Sequence, residues 1–156
     1  GAVAQISGGG TPDKSNPRFW NGDIPWASVK DLKGDYLAGT IDYISQKGLL
    51  SKTSISRCAP GDLIVATRLV PGKSIICSCD STINQDLKRI RSRLDIQYLH
   101  LWFQSYRPHL HKLGQGTTVP GIKLPDLTSA LIPVPPLAEQ RRIVRRFTAL
   151  YPFTSQ

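Results

Sequence analysis

Two proline-glycine pairs set the grain of this chain. Pro60-Gly61 and Pro71-Gly72 each mark a tight turn, and each is followed at once by a short strand-forming run, Asp62 to Thr67 and Lys73 to Cys79. Proline presets the first turn position and glycine accepts a backbone conformation that side chains resist, so each run starts in a new direction. A third run, Asp86 to Ile90, has the same character. Short strands joined by tight turns pair antiparallel. The expected fold class is therefore α+β (mixed α/β), with short, mainly antiparallel, twisted strands and a few helices, ending in a protruding helix.

The flanks add detail. GGGTPDKSNPRFWNGDIPW is dense in Gly, Pro and Asn and reads as an ordered loop, pinned by Phe19, Trp20 and Trp26. Ser28 caps a short helical turn that Gly34 stops. Tyr43-Ile44-Ser45 reads as a strand before a turn at Lys47-Gly48, and Ile132 to Pro136 as a proline-bracketed strand. Asp95 caps a helical pattern with Ile96, Leu99, Trp102 and Tyr106 on one stripe. Pro108 is expected to break or kink that helix, and Gly114 to end it. The last helix opens at Leu137-Ala138-Glu139-Gln140. Its apolar residues Ile143, Val144, Phe147, Leu150 and Tyr151 form a stripe flanked by Arg141, Arg142, Arg145 and Arg146. Too little chain follows to cover that stripe, so another element must.

Composition narrows the class. The 156 residues, 40% hydrophobic and 20% charged, suit one globular domain with a real core. No apolar run approaches the roughly 18 residues of a membrane span, and the start lacks a signal core, so the expected location is cytoplasmic. There is no methionine, and residues 1–5 are set aside as a remnant of processing or expression. An odd count of three cysteines points to reduced thiols. Cys77 and Cys79 alternate onto one strand face as packing residues, although their pairing with His109 and His111 would also supply ligand types that suit zinc.

The net charge of +9 is local: residues 88–123 hold seven Lys and Arg against Asp95 alone, whereas residues 1–87 hold nine against eight Asp. Such a segment is either a solvated face or the footprint of a phosphate-rich partner. Catalytic strings fail on spacing. Pro71-Gly72-Lys73-Ser74 lacks the earlier glycine of a phosphate-binding loop, since Thr67 stands there. Asn16-Pro17-Arg18-Phe19 departs from the Asn-Pro-Pro-aromatic pattern of adenine methyltransferases at Arg18. The three histidines lie within residues 100–111 and offer no defensible Ser-His-Asp order, so no catalytic residue is assigned.

Taken together and in order, GGGTPDKSNPRFWNGDIPWASVKDLKG, IDYISQKGL, APGDLIVATRLVPGKS, NQDLKRI, GQGTTVPGI and LIPVPPLAEQRRIV resemble the specificity subunit of type I restriction-modification enzymes. The resemblance covers about residues 6–147. It implies a target-recognition domain (residues 1–136), similar to the DNA-recognition domain of adenine-N6 methyltransferases, followed by the start of a spacer and dimerisation helix (residues 137–156). It also implies sequence-specific binding of one half of a bipartite double-stranded DNA target. The implied partners are an adenine methyltransferase subunit, a restriction subunit, and a second recognition half or a homodimer formed by helix pairing. No membrane is involved. S-adenosylmethionine and ATP are expected on the partner subunits, with no cofactor and no metal on this chain. Members of full length hold two recognition domains, and this chain holds one.

Base-reading residues vary in that family and must come from chemistry. Lys and Arg on turns suit phosphates: Lys73, Lys88, Arg89, Arg91, Arg93, Lys112 and Lys123. Strand alternation sends Arg89 and Arg91 to one face and Lys88 with Ile90 to the other, and Arg89 and Arg91 are the favoured pair. Arg68 suits guanine, while Gln85 and Gln115 suit adenine. The loop Gly114 to Thr118 offers backbone N–H groups and the Thr117 and Thr118 hydroxyls to a phosphate, or is a plain helix stop. Leu137, Gln140, Ile143, Val144, Phe147 and Leu150 are the expected subunit interface. The alternative is a module that docks other subunits through this helix and touches DNA only non-specifically.

Overall fold

A computed structural model describes residues 3–114 and 118–154. In chain order it has β1 (Ala4–Gly8), β2 (Trp20–Ala27), β3 (Tyr36–Leu37), β4 (Asp42–Ile44), α1 (Gln46–Leu50), β5 (Arg57–Cys58), β6 (Leu63–Ala66), β7 (Ser74–Cys77), β8 (Ser81–Ile83), β9 (Leu87–Ser92), α2 (Ile96–Leu113), α3 (Leu124–Thr128) and α4 (Leu137–Leu150). One sheet has the order β1-β9-β6-β7-β3 and the other β4-β2-β8-β5. All pairings are antiparallel except β3 with β7 and β2 with β8. The mixed, mainly antiparallel α+β reading therefore holds.

The three strand-forming runs, two of them set by the turn pairs, became β6, β7 and β9, neighbours in the larger sheet. Their burial is two-sided. Ile64, Ala66, Ile75, Cys77 and Leu87 pack with Ala27 and Ile83 of the smaller sheet, whereas Leu63, Val65, Ile76 and Ile90 pack with Leu99, Phe103 and Leu110 of α2. Strict alternation thus sorts apolar residues between two cores. Burying one such Leu or Ile contributes about 1.5–3 kcal/mol.

Several expectations are corrected. Ala4 and Gln5, set aside from the fold in the sequence reading, pair with Ser92 and Arg91 in the sheet. Trp20–Ala27 is a strand within the stretch expected to be loop, and Lys47-Gly48 lies in α1. Residues 132–136 form no strand, because three prolines remove the donors a ladder needs. Pro108 does not end α2. It and Gln104, whose carbonyl loses its partner, both lie on the exposed side, where water replaces the missing bond. By contrast the Asp95 cap is present, its carboxylate accepting from Gln97 N and Tyr98 N at 3.0 and 3.2 Å.

The interface expected on α4 is partly spent within the chain. Val144 is buried against Tyr98 and Leu101. Gln140 is also buried, its Oε1 accepting from Asp95 N at 2.8 Å and its Nε2 donating to Pro135 O at 2.8 Å. These two residues therefore hold α4 to the start of α2 and do not face a partner. Leu137, Ile143, Phe147 and Leu150 remain exposed.

Arg89 and Arg91 alternate as expected but turn toward the smaller sheet's side. Arg91 grips Asp62 with two bonds of 2.8 Å, and Arg89 donates to Arg57 O at 2.6 Å and Ser7 Oγ at 2.7 Å. They act as pins at the sheet margin, so part of the donor capacity expected to meet phosphates is engaged within the chain, while the Arg91 side chain stays half-exposed. Burial alone would raise the Asp62 carboxyl pKa, but the Arg91 and Ala59 hydrogen bonds outweigh it and hold the group below the usual range.

Two outcomes follow from these contacts. Gln140→Ala leaves Asp95 N–H and Pro135 C=O without partners, at about 1–3 kcal/mol per group, and should loosen α4 in hydrogen exchange before the sheets. For Asp62 the depressed folded pKa means that its contribution is complete above the unfolded value of roughly 3.9 and is lost as pH falls through the folded value. Asp62→Asn should lower the urea midpoint at neutral pH while flattening its decline below about pH 4.

Candidate nucleic-acid interface

One end of α2 gathers loops that are far apart in sequence. Asp86 O accepts from Thr67 N at 2.8 Å and from Thr67 Oγ1 at 3.0 Å, and Thr67 O accepts from Ile122 N at 2.8 Å. Leu69 N donates to Pro120 O at 2.8 Å, and Arg68 bridges to Gly121. Gly72, at φ 80°, lies against Arg107 and Leu110. The β6–β7 turn, residues 84–88, the end of α2 and residues 118–123 are therefore neighbours.

That end holds Arg68, Lys73, Gln85, Lys88, Lys112, Thr118 and Lys123. Arg68 is half-exposed with Nη1 3.6 Å from Asp86 Oδ1. Lys88 is half-buried, and burial pushes its ammonium below the usual range. Its Nζ donates to Gln85 O at 3.1 Å. Lys112, Thr118 and Lys123 are exposed. Arg93 is exposed too, but β9 carries it away from Lys88, roughly 16 Å by strand rise. Its backbone N meets Val3 O, near the start of α2. Gln115 and Thr117 lie outside the described residues.

The triple glycine explains why Gln85 is presented as it is. Gly10 N donates to Ile83 O at 3.0 Å, and a Cβ on Gly9 would fall 2.0 Å from Asn84 O, so only glycine permits this approach. The close contact sets Thr11 Oγ1 as a donor to Gln85 Oε1. Trp26 Nε1 donates to Gly10 O at 3.0 Å and Trp20 Nε1 to Asp13 O at 3.1 Å, which anchors the segment as expected. Sequence reasoning missed Thr11 and Leu69. The glycines were a signal for the first, while Leu69 carries none.

A second polar chain is structural. Ser74 Oγ lies 2.9 Å from His100 Nδ1, and His100 Nε2 lies 2.9 Å from Asp35 Oδ1. Although this is a Ser-His-Asp sequence in space, Ser74 is 6% and His100 1% exposed, with the Phe153 ring 5.5 Å from the imidazole. No substrate carbonyl could reach the hydroxyl. Burial keeps the imidazole below its usual pKa despite the opposing pull of Asp35, so it is neutral, accepting from Ser74 and donating to Asp35. Asp35 also accepts from Thr154 N at 2.7 Å, which ties down the segment after α4.

Cys77 follows the packing reading, whereas Cys79 lies past the end of β7, half-buried, and does not share its strand face. Cys77 is buried in the core between the sheets, and burial pushes the Cys58 thiol up to about 12. Among the described residues no cluster of three His, Cys, Asp or Glu side chains could hold a metal. No helix of the described residues is long and apolar enough to cross a membrane.

Known proteins agree with this architecture. The chain is 31% identical to the specificity subunit of the type I restriction enzyme EcoR124I/EcoR124II of Escherichia coli over 152 residues, 92% of this chain and 38% of that protein. It is 27% identical to the MjaIX specificity subunit of Methanocaldococcus jannaschii, over 90% of this chain and 34% of that one. It therefore spans little more than a third of either relative. In fold it is similar to the HsdS subunit of Thermoanaerobacter tengcongensis, with a TM-score of 0.73 and 24% identity across 95% of this chain and 35% of that one. The sequence model of the type I restriction modification DNA specificity domain matches residues 1–155, and the chain belongs to that family.

Proposed function

We propose that this chain reads one half of a bipartite double-stranded DNA target within a type I restriction-modification complex. What carries the reading, beside the family, is the convergence of Arg68, Lys73, Gln85, Lys112, Thr118 and Lys123 at one end of α2, opposite the Asp95–Gln140 anchor of α4. The 18 residues of α2 separate the two ends by roughly 27 Å. DNA at one end and protein at the other is the division of labour this supports.

On this reading residues 1–136 are the recognition domain and 137–156 begin the spacer helix. Leu137, Ile143, Phe147 and Leu150 meet another helix, from a second recognition half or a second copy. Methyl transfer and cleavage belong to separate subunits, an adenine methyltransferase and a restriction subunit, which hold S-adenosylmethionine and ATP. This chain contributes no catalytic residue, cofactor or metal, and the complex works in the cytoplasm. Phosphates are met by Lys73, Lys112, Lys123 and the Thr118 hydroxyl, and bases by Arg68 and Gln85.

Titration of the assembled complex with DNA duplexes at fixed salt tests the reading, which fails if no sequence is preferred. Lys112→Ala with Lys123→Ala should weaken binding to all sequences alike and flatten the slope of log K against log salt by roughly 0.9 per lost phosphate contact. An unchanged slope with sequence preference intact would move the phosphate contacts to other residues.

A further inference from the structure

Between the ends of the two sheets lies a groove of about 450 Å³, bordered by Thr11, Lys14, Trp20, Lys30, Leu69 and Gln85. Two of these residues are held in ways that packing does not require. Leu69 has φ 67°, and Val70 N donates to Arg68 O at 2.8 Å, two residues back. A positive φ with this bond is a γ-turn of the rare, strained kind, which a leucine adopts at a cost that glycine would avoid. The turn is nevertheless locked, by the Leu69 N bond to Pro120 and the Arg68–Gly121 bridge. Its product is a leucine side chain 50% exposed at the groove mouth.

Across from it Gln85 is equally fixed. Its Oε1 accepts from Thr11, its carbonyl accepts from Lys88, and the preceding Asn84 is buried with Oδ1 accepting from Asp86 N at 3.0 Å. Gln85 is exposed, and among the described residues its Nε2 hydrogens and the second lone pair of Oε1 have no partner. A side-chain amide with one donor and one acceptor free matches the N7 acceptor and N6 amino donor of adenine in the major groove. A fixed apolar end matches the C5 methyl group of thymine. Lys14 and Lys30, which also border the groove, suit the phosphates of the same strand, although Lys30 lies 3.0 Å from Asp42 and would share its charge.

We propose that this groove receives the major-groove edge of an A·T step, with Gln85 reading adenine and Leu69 covering a thymine methyl in the same or the adjacent pair. Thr11 is a positioning residue, acting through the Gln85 amide. This rests on the DNA-reading function proposed above and names the base class that one site selects.

The test uses the assembled complex and its preferred half-site, selected from random duplexes. Each thymine is then replaced by deoxyuridine, which deletes only the methyl, and each adenine by 7-deazaadenine, which deletes N7. The wild type should lose about 4-fold at one uracil position, the worth of one buried methylene-sized group. It should lose roughly 5- to 150-fold at a 7-deazaadenine in the same or the adjacent pair. Leu69→Gly should be blind to the uracil and Gln85→Ala blind to the deazaadenine. Leu69→Gly removes the strain, so it should keep the wild-type thermal midpoint and separate lost reading from lost folding. Thr11→Val should dull the deazaadenine response, and Thr11→Ser should restore it. If the wild type prefers a sequence but the Leu69 and Gln85 variants keep all its sensitivities, this inference is overturned. If the wild type prefers none, the DNA-reading function itself falls.

Discussion

Burial of β6 and β7 on both faces is the constraint on which the rest of the molecule depends. Residues pointing one way close the core against the smaller sheet, and those pointing the other way close the core against α2. A strand pair so enclosed has no free face, and its register cannot slip by one residue without exchanging the two cores. The turns at the ends of these strands are therefore held in place from both sides. That rigidity lets the β6–β7 turn keep Leu69 in a conformation it would otherwise leave.

Polar groups in this fold mostly fasten elements together. Gln140 joins α4 to the cap of α2, the Ser74–His100–Asp35 chain joins β7, α2 and the segment after α4, and Arg91 with Asp62 pins the sheet margin. Each satisfies buried donors or acceptors that would otherwise be costly to leave bare. The Ser-His-Asp order is instructive, because spacing in space alone would suggest hydrolysis. Its burial and the absence of room around Ser74 decide against it.

The concentration of charge between residues 88 and 123 was legible as a count, but its meaning was not. Alternation along β9 correctly paired Arg89 with Arg91, yet only the fold puts Asp62, Ser7 and the Arg57 carbonyl within their reach. Conversely, Arg68 and Lys123 look unrelated in the chain, and the Arg68–Gly121 bridge makes them neighbours. The same holds on α4. Its apolar stripe was visible, but that Val144 and Gln140 would be used at home and Ile143, Phe147 and Leu150 left exposed depended on where α2 lay.

Local chemistry, then, is what the sequence alone determined: turns at proline-glycine pairs, the Asp95 cap, the strands between the turns, the amphipathic last helix, and a family resemblance spread over six ordered strings. Each depends on residues a few positions apart, where backbone preference and periodicity act directly. The tertiary structure decided which charges are fasteners and which are free, why Gly9 must be glycine, and that Leu69 and Gln85 border one groove. Those outcomes depend on approach between segments well separated in the chain, such as Asp62 and Arg91, 29 residues apart, or Ser7 and Arg89, 82 apart, and no local preference encodes which hydrogen-bond partner a distant strand will bring.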